Sequence, residues 1–145
     1  MGFLKGQSEI RETTKTITSA QVLALFATPQ PVVLAPGAGK ALLLEEVLIY
    51  KPAGTAYAGV AAGEDLVLKY TNAAGLEISE QIEATGFLDQ ATAQIRRARP
   101  VYLAQSVLNP AANAAIVLHL LTGEVITGTS VLRVRTRYRI VGLTF

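Results

Sequence analysis

The sequence contains no cysteine and no tryptophan, and its 145 residues include one histidine and one methionine. Without cysteine there are no disulfides, no thiolate nucleophile and no cysteine-ligated metal, and the redox compartment stays open. A lone histidine leaves little imidazole for a metal centre or for acid–base chemistry. Charged residues are scarce at 17%, and aromatics make up only 6%. No apolar run approaches the roughly 20 residues that a membrane-spanning helix needs. The opening segment MGFLKGQSEIRETTKT lacks the apolar core of a secretory signal. Its Met-Gly start does not complete a myristoylation pattern, because Gly6 stands where serine or threonine is wanted. These absences predict a soluble chain synthesised in the cytoplasm, with no cofactor.

Half of the residues are hydrophobic, mostly small or branched aliphatics. That composition belongs to a folded chain, and the length predicts one domain burying roughly 70% of its unfolded surface. So apolar a composition also leaves material for subunit contacts. The net charge is only +2, but the basic residues are unevenly placed: seven of thirteen lie within 96–99 and 133–139.

The segment SVLRVRTRYRIV (130–141) sets Arg133, Arg135, Arg137 and Arg139 between Leu132, Val134, Thr136, Tyr138 and Ile140. A period of two predicts a strand with one apolar face and one face of guanidinium groups, a row about 20 Å long. Other strands are expected over 10–18, in the proline-bounded PVVLAP, and over 41–51, 64–71, 101–108 and 114–121. The 41–51 run is apolar enough for both faces to be covered, with a bulge at Glu45–Glu46. Residues 19–27 read either as one or two helical turns capped by Ser19 or as a buried strand, and 76–85 as a strand or short helix. Phe87, Ala91 and Ile95 recur at four-residue spacing, which predicts a helix over 86–100. The Gly/Ala-rich segment 52–65 is long enough to be a functional or interface loop. Many short strands and at most one short helix predict an all-β, antiparallel sandwich or barrel. Residues 1–16 read as an N-terminal arm and 17–145 as the sandwich domain.

Few motifs carry chemistry. LAPGAGKA lacks the first Walker glycine, with Leu34 in its place, and has Ala41 after Lys40 where serine or threonine is required; a structural turn is expected. His119 lies in the apolar run IVLHLL, where a hydrogen-bonded or semi-exposed histidine is the ordinary outcome. No G-x-S-x-G elbow singles out a nucleophile. The acidic residues at 45–46, 64–65, 77, 80 and 83 suit a solvated surface or salt bridges to arginine better than catalysis. The arginine row remains. Side-by-side like charges repel, and arginine favours bidentate carboxylate or phosphate partners. Acidic groups of the same sheet, or of a neighbouring subunit, are therefore expected opposite Arg133, Arg135, Arg137 and Arg139, with Arg96 and Arg97 as further contact candidates. Direct nucleic-acid binding is disfavoured, since Tyr138 falls on the opposite face from the arginines and no stacking aromatics interleave with them.

The order of ITSAQVLALFATPQPVVLAPGAGKAL, GTAYAG, LVLKYTNAAG, IEATGFLDQATAQIRRARP, NAAIVLHL and LRVRTRYRIV resembles small virion structural proteins of tailed bacteriophages, of the head decoration or cement type. The resemblance covers roughly residues 17–141. It implies a β-sandwich or jelly-roll domain without enzymatic activity, commonly a homotrimer on the capsid surface that clamps adjacent major capsid subunits. A carbohydrate-binding accessory module, with Tyr57 as its one aromatic candidate, and a neck or tail structural protein are the alternatives. Nucleic-acid binding through the basic strand comes after these, and an enzyme last.

Overall fold

The computed structural model describes residues 9–101 and 110–144. Its strands are β1 (Arg11–Ile17), β2 (Gln30–Val33), β3 (Lys40–Lys51), β4 (Asp65–Tyr70), β5 (Ile82–Glu83), β6 (Gln94–Ala98), β7 (Ile116–Leu120) and β8 (Leu132–Gly142), with one short helix, α1 (Ser19–Leu23). They form two four-stranded sheets, ordered β1-β8-β3-β6 and β2-β7-β4-β5. Every ladder is antiparallel. The pairing is nested: β1 with β8, β2 with β7, β3 with β6, β4 with β5. A chain doubled back on itself and then rolled so that alternate pairs fall in opposite sheets is a jelly roll.

Alternation fills the space between the sheets. Leu42, Leu44, Val47 and Ile49 of β3 and Leu132 and Val134 of β8 meet Leu66, Leu68 and Tyr70 of β4 and Ile116, Leu118 and Leu120 of β7, all buried. Each such aliphatic contributes on the order of 1.5–3 kcal/mol on leaving water. The step from Leu44 to Val47 spans three residues because the ladder with β8 shifts between Leu44 and Glu46. This is the bulge expected at the acidic pair. It leaves both Glu45 and Glu46 half-buried on the outer side, and below it the inward parity resumes. Lys51 ends the inward row, fully buried. Its ammonium donates to the carbonyls of Pro52, Gln90 and Thr92, and burial lowers its pKa.

Several expectations need correction. Residues 86–100 are not a helix: they hold a loop and then β6, paired with β3 from Lys51↔Gln94 to Val47↔Ala98. Phe87 and Leu88 are buried while Ile95 is exposed, so the four-residue spacing does not mark one face, and pairing with β3 overrides the local pattern. The cap of α1 is Thr18, not Ser19. Thr18 and Gln21 exchange side-chain and backbone hydrogen bonds in a capping box. The ladder with β8 begins at Arg11, so the sandwich takes in residues 11–16 that the sequence assigned to the arm. The expected strand over 101–108 lies outside the described residues apart from Val101. Finally, β3 is covered on one face only, since Tyr50 is exposed and Leu43 and Leu48 are half-buried.

Candidate interaction face

The open face belongs to the sheet β1-β8-β3-β6, and its side chains stand in rungs set by the register. Thr16, Arg133, Tyr50 and Ile95 form one rung, and Thr14, Arg135, Leu48 and Arg97 the next. A third holds Glu12, Arg137 and Glu46. Acidic groups are confined to the third rung and the bulge beside it. There Arg139 Nε lies 2.6 Å from Glu45 Oε1, Arg97 Nε lies 2.6 Å from Glu46 Oε2, and Arg137 Nε lies 3.9 Å from Glu12 Oε2. The bulge thus lets two consecutive glutamates, Glu45 and Glu46, answer arginines on two different strands. Farther along, Arg99 and Glu80 pair at 3.0 Å, which lowers the carboxyl pKa of Glu80 through the Arg99 hydrogen bond.

The first two rungs differ. Arg133 and Arg135 have no acidic partner and no hydrogen-bond acceptor among the described residues. Between them and β6 run Leu48, Tyr50 at 38% exposure and Ile95 at 58%, enclosing a shallow depression of about 230 Å³. Two uncompensated guanidinium groups therefore border an apolar strip. Such a surface suits a partner that offers both a carboxylate and apolar contact. The row of arginines is divided: among the described residues Arg137 and Arg139 are answered, and Arg133 and Arg135 are not.

The other candidates resolve differently. Arg96 leaves this face: its guanidinium lies 5.1 Å from the Phe87 ring centroid and donates to Gly86 O at 2.7 Å, holding the 86–90 loop. Tyr57 is buried and donates its hydroxyl to Ser130 O, and burial pushes its pKa up to about 12. Gly128, at φ +120°, lies flat on that ring, where a Cβ would come within 2.3 Å of a ring carbon. With the Ala58–Ile126 bridge, Tyr57 fastens the 52–65 segment to 126–130, and it offers no ring for a sugar to stack on. The glycan-module alternative loses Tyr57, the aromatic the sequence assigned to it.

His119 takes the ordinary role. Its Nε2 hydrogen-bonds Phe26 O at 3.0 Å, and since a carbonyl only accepts, Nε2 carries the proton. The ring stacks on Phe26. Burial lowers its pKa, helped by the charge of Lys69. Glu64 is buried and accepts from Thr122 N and the Thr122 hydroxyl. PGAGK is a turn into β3, with Gly37 N donating to Asn113 Oδ1. Among the described residues no cluster of three His, Asp or Glu could hold a metal ion, and no helix is long and apolar enough to cross a membrane.

Sequence reasoning missed Leu48, Tyr50 and Ile95. The signal was available in principle: once a bulge is placed at Glu45–Glu46, the alternation Val47, Ile49, Lys51 inward puts Leu48 and Tyr50 outward. No family model, curated protein or solved structure matches the chain.

Proposed function

We propose that the chain is a non-enzymatic structural protein of a tailed-bacteriophage virion, of the head decoration or cement type. It oligomerises, with a trimer as the expected form, and docks on major capsid subunits. The single observation that supports this reading most is the pair Arg133 and Arg135, unanswered among the described residues beside the apolar strip of Leu48, Tyr50 and Ile95. A many-copy clamp needs only modest contacts at each copy, because neighbouring contacts act together. The jelly roll supplies a rigid support, since the inward half of each strand is locked into the core.

The competing class is single-stranded nucleic acid, for which the exposed Tyr50 ring beside Arg133 is the one favourable feature. Two free arginines and a net charge of +2 give that reading little counter-ion release. Cryo-electron microscopy of purified particles, with and without the Arg133→Glu/Arg135→Glu variant, tests the proposal. Ordered copies at symmetric positions on the shell are expected, and the variant is expected to decorate at least about tenfold more weakly. Absence of the wild-type chain from particles rejects the virion reading. Equal decoration by the variant rejects only this face as the contact.

A further inference from the structure

The sandwich is open along one side. There β1 and β2 are the end strands of their sheets, and between them lies a cleft of about 500 Å³. That volume is in the range of sites for small organic ligands. Its polarity changes along its length. The inward positions of β1 are Arg11, Thr13, Lys15 and Ile17, registered with Tyr138, Thr136, Val134 and Leu132 of β8. Ile17 is fully buried, but Lys15, two residues earlier on the same side, is exposed where it lines the cleft. Lys15 has no acidic partner among the described residues. Beside Thr13, its cross-strand neighbour Thr136 is completely buried with a hydroxyl that has no hydrogen-bond partner. The lining of the opposite end is apolar, with Val33 and Leu42 buried, Tyr138 and Ile140 partly covered, and Leu34 at the rim 78% exposed; Arg11, in register with Tyr138, is not part of that lining.

Both bordering edges resist addition of another strand. Lys15 places a charge on the inward side of edge strand β1, and Pro31 removes an N–H from β2. A cleft that refuses a strand, is apolar at one end and holds an unanswered ammonium at the other matches a compact amphiphile by charge and by shape. We propose that it binds a small amphipathic carboxylate. The apolar chain lies against Val33, Leu42 and Ile140, and the carboxylate accepts hydrogen bonds from Lys15 Nζ and the Thr13 hydroxyl. Apolar burial supplies the larger share of affinity, and the charge-assisted hydrogen bond fixes direction. This inference does not depend on the virion reading, because the cleft opens between the sheets while the arginine rungs lie on an outer face.

Isothermal titration of the purified chain with octanoate, and separately with octanol, tests it. Octanoate is expected to bind saturably, and Lys15→Met to weaken it about tenfold while leaving octanol affinity unchanged. Methyl NMR provides the location: shifts on octanoate addition are expected at Val33, Leu42 and Ile140. The proposal is overturned if octanoate gives no saturable binding, if Lys15→Met binds it as the wild type does, or if the shifted methyls lie elsewhere. It is also overturned if octanoate instead dissociates a wild-type oligomer, since the cleft would then be a contact between copies.

Discussion

In the sheet β2-β7-β4-β5 the outward positions Val67, Lys69, Val117 and His119 are all buried. Phe26 lies over His119, and the turn after β4 folds back so that Lys69 Nζ donates to Ala73 O at 2.7 Å. In the sheet β1-β8-β3-β6 the corresponding positions carry arginine, threonine, Leu48 and Tyr50, and remain largely in solvent. Both sheets share one core, so the contrast lies in what covers their outer sides. One sheet is wrapped by its own connections, and the other keeps a face that the described residues do not cover. A polar group on the wrapped sheet must find its partner within the chain, as Lys69 does. Arg133 and Arg135 on the other have none among the described residues.

The most forceful way to break this contrast is to delete volume on each sheet. Val67→Ala in β4 removes a fully buried side chain from the outward side of the wrapped sheet and is expected to cost about 2 kcal/mol. Leu48→Ala on the open face is expected to cost less than about 1 kcal/mol. Urea denaturation of the two variants at low protein concentration compares them directly. Similar losses would mean that the outer face is covered in solution, which points to self-association through Leu48 and its neighbours.

A smaller effect follows pH, through two groups of the wrapped sheet, His119 of β7 and Asp65 of β4. His119 is held neutral in the folded state by burial, so its folded pKa lies below the ordinary 6.5. The unfolded chain binds the proton first, and stability therefore falls as pH drops below about 6.5, until the folded imidazole itself titrates. The slope for one proton does not exceed about 1.4 kcal/mol per pH unit. Asp65 works in the opposite direction. Its pKa is raised above the ordinary 3.8 by burial and then by Glu83, Glu64 and Glu77, so its contribution is fully present in acid and is lost as pH rises through the folded value. Thermal melts from pH 7.5 to 5 are expected to show the loss in the wild type and a flatter profile in His119→Gln. An unchanged profile in that variant would place the titrating group elsewhere.

How much of this was legible in the sequence follows from which patterns are local. Strand β8 was readable because nine consecutive residues, Leu132 to Ile140, hold one alternation, and the bulge was readable because two adjacent glutamates cannot both continue an apolar row. Strand β6 was not. Its five residues, Gln94–Ala98, are too few to establish a period, and the contact that makes them a strand lies about fifty positions back in β3. The exposure of Tyr50 and the burial of Tyr57 were equally hidden. Each depends on distant segments: Tyr50 stays 38% exposed among the described residues, whereas Gly128 lies over Tyr57. The candidate face was thus half visible: its charges were apparent from spacing, whereas its apolar strip required the register of four strands.

The smallest expected effect is the most direct comment on the open sheet. Arg133 and Arg135 sit two residues apart on one strand with no acid opposite either. If they serve folding, replacing both with alanine should lower stability. If they are held for a partner, the exchange removes mutual repulsion and no internal contact. The double variant Arg133→Ala/Arg135→Ala is therefore expected to stay within about 0.5 kcal/mol of the wild type, with any change stabilising and largest at low salt, where screening is weakest. Arg139→Ala, which leaves Glu45 without the partner now 2.6 Å away, is expected to shift the other way by up to about 1 kcal/mol. Denaturation at 20 mM and 500 mM salt separates the two cases. A double variant that is destabilised and insensitive to salt would show that the arginine stems hold the sheet by packing, and the face would then have no call for a partner.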